Sequence, residues 1–208
     1  MRLLDKNKIS TAYVEKEFFP FFHVENAFRD GIDSSELVDN FPQIASGGSF
    51  PSEDISNGPI KHLIEELESD DFKSILEDKL NVDLNDSKVI TTLRGFSRSR
   101  DGQIHTDSKS KILTVLLYLN PQWDNKVGNL RLLKENSNLE DYITEISSGF
   151  GNLVAFKVTE NCWHGFEPFE GRRLSIQLNY IYPESLKSHR FRHMISSKLK
   201  KFISSKKS

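Results

Sequence analysis

Close to residue 88 the spacing of apolar residues changes from a period of 3.6 to a period of 2, and this switch constrains the fold more than any other feature. Before it, Ile60, Leu63, Ile64, Leu67, Phe72, Ile75 and Leu76 recur at helical spacing and predict two helical stretches between residues 60 and 80. After it, alternating apolar and polar positions predict strands at 89–96, 112–120, 129–133, 142–146, 153–158 and 173–182, with turn residues between them. Helices followed by a run of short strands imply an antiparallel barrel or sandwich with helices packed against one side. Upstream, residues 11–29 mix aromatic and β-branched positions around Pro20 and predict one or two short strands. The segment 33–42 predicts a short helix begun by a Ser or Asp cap and stopped before Pro42. Residues 46–59 hold three glycines and two prolines, a turn-rich loop whose length suits a lid with Phe50 at its centre.

A chain of 208 residues is long enough for a full core, and residues 1–183 are expected to form one domain. Its helical support lies mainly in 33–80 and its strand core in about 88–182. Cys162 is the single cysteine, which excludes an intrachain disulfide. The first residues are charged, without the apolar run of a signal peptide, and no stretch approaches the roughly 18 apolar residues of a membrane span. A cytoplasmic protein with no membrane partner is the expectation. The net charge of −2 conceals an asymmetry: residues 184–208 carry eight Lys/Arg against one acid, leaving about −9 on the rest. This tail, helical in pattern, reads as a solvated helix docked on an acidic body. Nucleic acid is the other partner that a basic tail allows.

The chemistry begins at His105-Thr106-Asp107. In a strand, residues i and i+2 project from one face about 6 to 7 Å apart, so the two side chains can converge on one ion. A lone His-x-Asp is weak, since a surface turn holds such a pair equally well. His164 strengthens it, lying 57 residues beyond Asp107 and directly after the strand predicted at 153–158. Two histidines and one carboxylate make the facial triad of non-haem iron(II) sites, which leaves positions open for an oxidant and a chelating co-substrate. His23, His62, His189 and His193 have no partner at comparable spacing.

Residues 164–173 read as one arm and turn of a hairpin that sets Arg173 opposite His164, from where a guanidinium can fork onto a carboxylate. The strand that follows separates by parity: Arg173, Ser175, Gln177 and Asn179 on one face, Leu174, Ile176, Leu178 and Tyr180 on the other. Placed beside His164, the polar face suits a wet cavity, where Ser175 can join Arg173 on the same carboxylate. Tyr118 shares parity with Thr114 and Leu116, so its phenol is either a cavity contact or a buried tyrosine with one hydrogen bond. Arg94, Arg98 and Arg100 precede the metal motif. They meet an anionic substrate or co-substrate, or they are solvated surface charges.

HTD followed by KILTVLLYLN, GNLRLL and GNLVAFKVTENCWHGFEPFEGRRLSIQLNY resembles the 2-oxoglutarate/Fe(II) dioxygenase superfamily, in particular its small bacterial prolyl 4-hydroxylase-like branch. The resemblance covers about residues 89–182, and its motif order is specific in combination. It implies a mainly β fold with flanking helices, a double-stranded β-helix (jelly roll) of two antiparallel sheets. It further implies Fe(II) held by His105, Asp107 and His164, and 2-oxoglutarate held through its distal carboxylate by Arg173 with help from Tyr118. O₂ would be the oxidant, ascorbate a supportive reductant, and hydroxylation of a C–H bond with release of succinate and CO₂ the reaction. The chain departs from the branch in the strand before the metal motif, where a tyrosine is usual and Leu93, Arg94, Gly95 and Phe96 stand here.

The substrate is left open between a peptidyl residue and a small molecule such as an amino acid, a sugar or a lipid precursor. A non-catalytic jelly roll with a vestigial metal site and a nucleic-acid-binding tail is the rival from outside enzymology. It predicts no succinate and a steeply salt-dependent affinity for DNA or RNA. A cupin-type dioxygenase would use more histidines than this chain offers at suitable spacing. Oligomeric state is not legible.

Overall fold

The computed structural model describes residues 2–185 of the chain. The basic tail, apart from its first two residues, lies outside the described residues, and so does the helix expected there.

Four helices open the chain and alternate with three short strands: α1 (Lys6–Thr11), β1 (Val14–Glu15), β2 (Phe21–Val24), α2 (Ser34–Asp39), β3 (Phe50–Pro51), α3 (Pro59–Leu67) and α4 (Asp70–Leu80). Local chemistry sets their ends. Asp33 caps α2 by accepting from the Ser35 amide, Pro59 takes the first position of α3, and the Ser69 hydroxyl caps α4 through Phe72 N–H. Asn81, in the left-handed region, ends α4. Seven strands follow: β4 (Lys88–Ser97), β5 (Lys111–Tyr118), β6 (Leu130–Leu133), β7 (Tyr142–Ile146), β8 (Leu153–Lys157), β9 (His164–Gly165) and β10 (Gly171–Ile181). The predicted helix pair and all six predicted strands are present within two residues of their expected ends. Helix α1 carried no strong periodic signal and is short. The 46–59 segment is not all loop: Phe50 and Pro51 pair with Leu93 and Thr92 of β4 as an edge strand.

The strands form two antiparallel sheets, the larger ordered β1-β2-β8-β5-β10-β4-β3 and the smaller β7-β6-β9. This is the jelly-roll arrangement expected. Parity divides the apolar residues into two cores. Leu113, Val115 and Leu117 of β5, with Leu153 and Ala155 of β8 and Ile176 and Leu178 of β10, face outward to meet Leu63, Ile64, Leu67, Phe72 and Leu76 of the helices. Tyr118, Val154 and Phe156 face inward and meet Leu130, Leu132 and Ile146 of the smaller sheet. The helices therefore stiffen one face of the large sheet, and its other face is free to build a site.

Candidate metal centre and co-substrate cavity

The residues before Asp107 act as an extra strand on the small sheet. His105 and His164 are antiparallel partners that exchange both backbone hydrogen bonds, each at 3.0 Å, and Phe166 N–H donates to the Gly102 carbonyl at 2.9 Å. Two histidines 59 positions apart thus sit side by side with ring centroids 4.3 Å apart. Each ring is oriented from behind. His105 Nδ1 lies 2.7 Å from the Gln103 carbonyl and His164 Nδ1 lies 2.8 Å from the Cys162 carbonyl. A carbonyl only accepts, so both Nδ1 atoms carry a proton, which leaves Nε2 as the atom that each ring can offer a metal. Burial, followed by the neighbouring His105, pushes the His164 pKa down to about 4, so the imidazole is neutral across the physiological range.

Asp107 completes the group: ligand atoms of His105, Asp107 and His164 all lie within 4.8 Å of one another, near enough for small side-chain rotations to bring them onto one ion. Its carboxylate accepts from Lys111 Nζ at 2.7 Å and from the Thr114 hydroxyl at 2.5 Å. Burial alone would raise its pKa. The Lys111 ammonium, the His164 ring and these hydrogen bonds outweigh burial and hold the carboxyl below its ordinary range. Two imidazoles plus an ionised carboxylate are the donor set that suits Fe(II), so the residues fit the metal. Exposure grades across the triad, from exposed His105 to buried His164, so the centre lies at the mouth of a cavity.

That cavity, about 120 Å³, runs inward between the sheets and has room for about four waters at about 30 Å³ each. Rows of side chains across the large sheet line it. Arg94, Ser175 and Tyr118 are neighbours on β4, β10 and β5; Gln177 and Leu116 of the next row and Thr114 of the third also line it, whereas Thr92, Ile90 and Asn179 of those rows line an adjoining cavity. The polar parity of β10 therefore faces the cavity, as expected. Arg173 lies beyond the first row and is buried. Its Nε donates to the Gly128 carbonyl at 2.9 Å and to Ser148 Oγ at 3.1 Å, its Nη2 donates to the Tyr118 hydroxyl at 3.3 Å, and its guanidinium stands 4.3 Å from the Phe166 ring centroid. The Tyr118 oxygen accepts, which leaves its proton to give. Among the described residues the buried Ser175 hydroxyl has no hydrogen-bond partner. An orphaned hydroxyl, a tyrosine O–H and a guanidinium edge at one end of a cavity form a cradle for a carboxylate.

One expectation fails. Residues 164–173 are not a hairpin: β9 pairs with β6 and β10 with β4 and β5, in different sheets. Arg173 reaches the cavity across the gap between sheets and not as the strand partner of His164, whose partner is His105. The other unforeseen contributors are Lys111 and Thr114 on Asp107, and Gly128 behind Arg173. Gly128 has φ +81° and a Cβ there would press on Trp123 and Phe169, so glycine is required. Thr114 was legible through its parity with Tyr118; Lys111 carried no signal. Of the three arginines, Arg94 lines the cavity, Arg98 pairs with Asp101 at 2.7 Å, and Arg100 is exposed.

Comparison with known proteins adds two findings. A family model described as the 2OG-Fe(II) oxygenase superfamily matches residues 94–181. A search of curated proteins finds no match. Among solved structures, a Trichoplax adhaerens prolyl hydroxylase in complex with a hypoxia inducible factor peptide fragment aligns at TM-score 0.54 and 21% identity, over 86% of this chain and 87% of that one. HygX from Streptomyces hygroscopicus, with nickel and 2-oxoglutarate bound, aligns at TM-score 0.55 and 12% identity over 80% and 84%. A Pseudomonas putida prolyl-4-hydroxylase aligns at TM-score 0.44 and 19% identity over 55% of this chain, which spans 62% of that protein. The first two likenesses establish a shared fold. Among the described residues no helix is long and apolar enough to cross a membrane.

Proposed function

Because the chain belongs, through residues 94–181, to the 2OG-Fe(II) oxygenase superfamily, we propose that His105, Asp107 and His164 hold the iron and that Arg173, Tyr118 and Ser175 hold 2-oxoglutarate, for hydroxylation of a substrate C–H bond. The chain is a 2-oxoglutarate/Fe(II)-dependent dioxygenase, and its triad fits the metal. The bound iron and co-substrate supply the oxidising chemistry, with O₂ consumed and succinate and CO₂ released. The protein's own residues supply position. The two Nδ1–H···O=C bonds keep both imidazoles aimed at one point, and Lys111 and Thr114 keep Asp107 ionised and turned toward it. Arg173 sets the depth at which a dicarboxylate stops, since its Nε is tied to Gly128 and only its outer edge is offered. Leu116, Leu130 and Phe166 wall the inner end and limit water there.

The observation that carries this reading is the opposed His105–His164 pair, ring-locked beside Asp107, at the mouth of a cavity closed by a buried arginine. The test is succinate formation from 2-oxoglutarate by the purified protein with Fe(II) and ascorbate under air. Turnover is expected in the wild type, where ascorbate serves as reductant, and none in His105→Ala. Charge-assisted hydrogen bonds contribute about 1.5 to 3 kcal/mol each, so Arg173→Ala should weaken 2-oxoglutarate binding by roughly tenfold to a hundredfold or more. A metal-loaded wild type that fails to bind 2-oxoglutarate would sink the assignment. The substrate, on this reading, is either a peptidyl residue, as the prolyl hydroxylase fold relatives suggest, or a small molecule.

A further inference from the structure

Arg94 is a cation that the co-substrate cradle leaves over. It projects from β4 into the cavity, its Nε is buried with no hydrogen-bond partner, and among the described residues its guanidinium makes no ion pair. The acid whose charge acts most on it, Asp101, is engaged by Arg98 through three side-chain contacts of 2.7 to 3.2 Å. Burial, and then the charge of Arg173, disfavour its charged form. A buried cation held without a counter-ion is costly, which points to an anion that meets it.

Where it stands indicates which anion. Beyond the metal triad the inner cavity opens into a second one of about 320 Å³, and the two share Arg94, His105, Asp107, Lys111 and Gln177. The outer cavity is lined by hydroxyl and amide side chains: Ser49, Thr92, Thr106, Ser108, Gln177 and Asn179. Among the described residues Ile90 is its one aliphatic lining residue and no phenyl, phenol or indole ring faces it, so it lacks the apolar wall that a prolyl ring would need. Charge points the same way. A divalent metal and a dianionic co-substrate cancel, while Arg94, Arg173 and Lys111 face Asp107 alone, so the filled site keeps two positive charges unneutralised.

We propose that the outer cavity receives the primary substrate as a small hydroxylated anion, a carboxylate or phosphate monoester, with Arg94 pairing its acidic group beside the metal. This inference rests on the proposed function and narrows it to the small-molecule branch. Arg94 becomes the residue that determines specificity. The hydroxyls and amides of β4, β10 and the 106–108 segment bond the substrate's own hydroxyl groups.

The test uses the full-length protein loaded with Zn(II) and saturated with N-oxalylglycine, an unreactive analogue of the co-substrate. Calorimetric titration then compares glucuronate, glucose 6-phosphate, neutral glucose, a capped prolyl peptide and a capped aspartyl peptide. One or both small anions are expected to bind with Kd on the order of millimolar or below, and which of them binds tells carboxylate from phosphate. Glucose and both peptides should not bind. Arg94→Gln should weaken the anion by about tenfold or more and Arg94→Lys should recover part of it, while both keep N-oxalylglycine affinity within about threefold. The lysine variant, which keeps charge and length, serves if the glutamine variant fails to fold. Binding of neither anion, or tighter binding of either peptide, overturns the inference. So does an Arg94→Gln protein that loses N-oxalylglycine as Arg173→Ala does, which would put Arg94 in the co-substrate cradle. Failure of N-oxalylglycine to bind the wild type overturns the proposed function, and this inference with it.

Discussion

His164 combines burial, a locked tautomer and a lowered pKa, and these have one cause: its ring lies between the two sheets, 5.0 Å from the Phe156 ring and 4.3 Å from that of His105. The same burial makes the metal-free protein sensitive to acid. The His164 pKa is about 4 in the folded protein against an ordinary value near 6.5, so the unfolded chain takes the proton first as pH falls. Stability is therefore full above about pH 6.5 and declines toward pH 4, by about 3 kcal/mol at most for this group. Asp107, held below its ordinary range, contributes stability that is lost as pH falls further, through its folded value. Urea midpoints of the metal-free protein measured from pH 8 to pH 4 should fall through this window, and His164→Gln should flatten the upper part of the decline. An unchanged slope in that variant would assign the acid sensitivity to other groups. At this scale much was legible. His105, Asp107, His164, Arg173, Ser175 and Tyr118 are all nameable from spacing, parity and resemblance, and all six line one cavity. Lys111 was not, because its hold on Asp107 depends on the turn between them and not on any periodicity.

At the scale of elements, the pairing of β9 with the 102–105 segment builds the candidate metal centre, and Gly165 permits it. A Cβ on Gly165 would lie 2.8 Å from the Gly102 carbonyl oxygen and 3.0 Å from Leu139 Cδ2. The Gly102 carbonyl accepts from Phe166 N–H and cannot retreat without breaking that bond. Gly165→Ala should push the extra strand away from β9 and draw His105 off His164. Overpacking of this kind costs about 1 to 3 kcal/mol, and the displaced ligand should lower metal affinity by about tenfold or more. Denaturant melts and a metal titration check the two effects together; normal metal affinity in a destabilised variant would separate the pairing from the site. The hairpin expected over residues 164–173 failed at this scale. Its turn residues were read as a hairpin reversal, but residues 166–170 form no turn and carry the chain from one sheet to the other. Turn-forming residues allow a reversal; whether the chain makes one, and which edge it joins next, depends on what is already there.

Across the whole molecule, the large sheet separates two cores with different duties. The outer core, against the helices, supports; the inner core, between the sheets, holds the site. Leu67 of α3 is fully buried in the first, and Phe156 of β8 is fully buried in the second, beside His164. Leu67→Ala should cost about 2 to 5 kcal/mol and Phe156→Ala about 3 to 5 kcal/mol, each read from denaturant midpoints. Only Phe156→Ala should also weaken metal and 2-oxoglutarate binding. Equal losses in both variants would show that the sheet transmits damage from the helical face to the site.

What the chain determined alone are its local regularities. The switch of period near residue 88, the His-x-Asp pair and the polar parity of Arg173, Ser175, Gln177 and Asn179 are properties of residues one or two positions apart, and the backbone geometry of a strand or helix expresses them wherever it lies. Tertiary structure decided the rest. That His105 faces His164, that Arg173 arrives from the opposite sheet, and that Arg94 stands between two cavities without an ion pair among the described residues follow from register and sheet assignment. Those are set by the burial of two apolar faces at once, a condition that no short stretch of sequence contains.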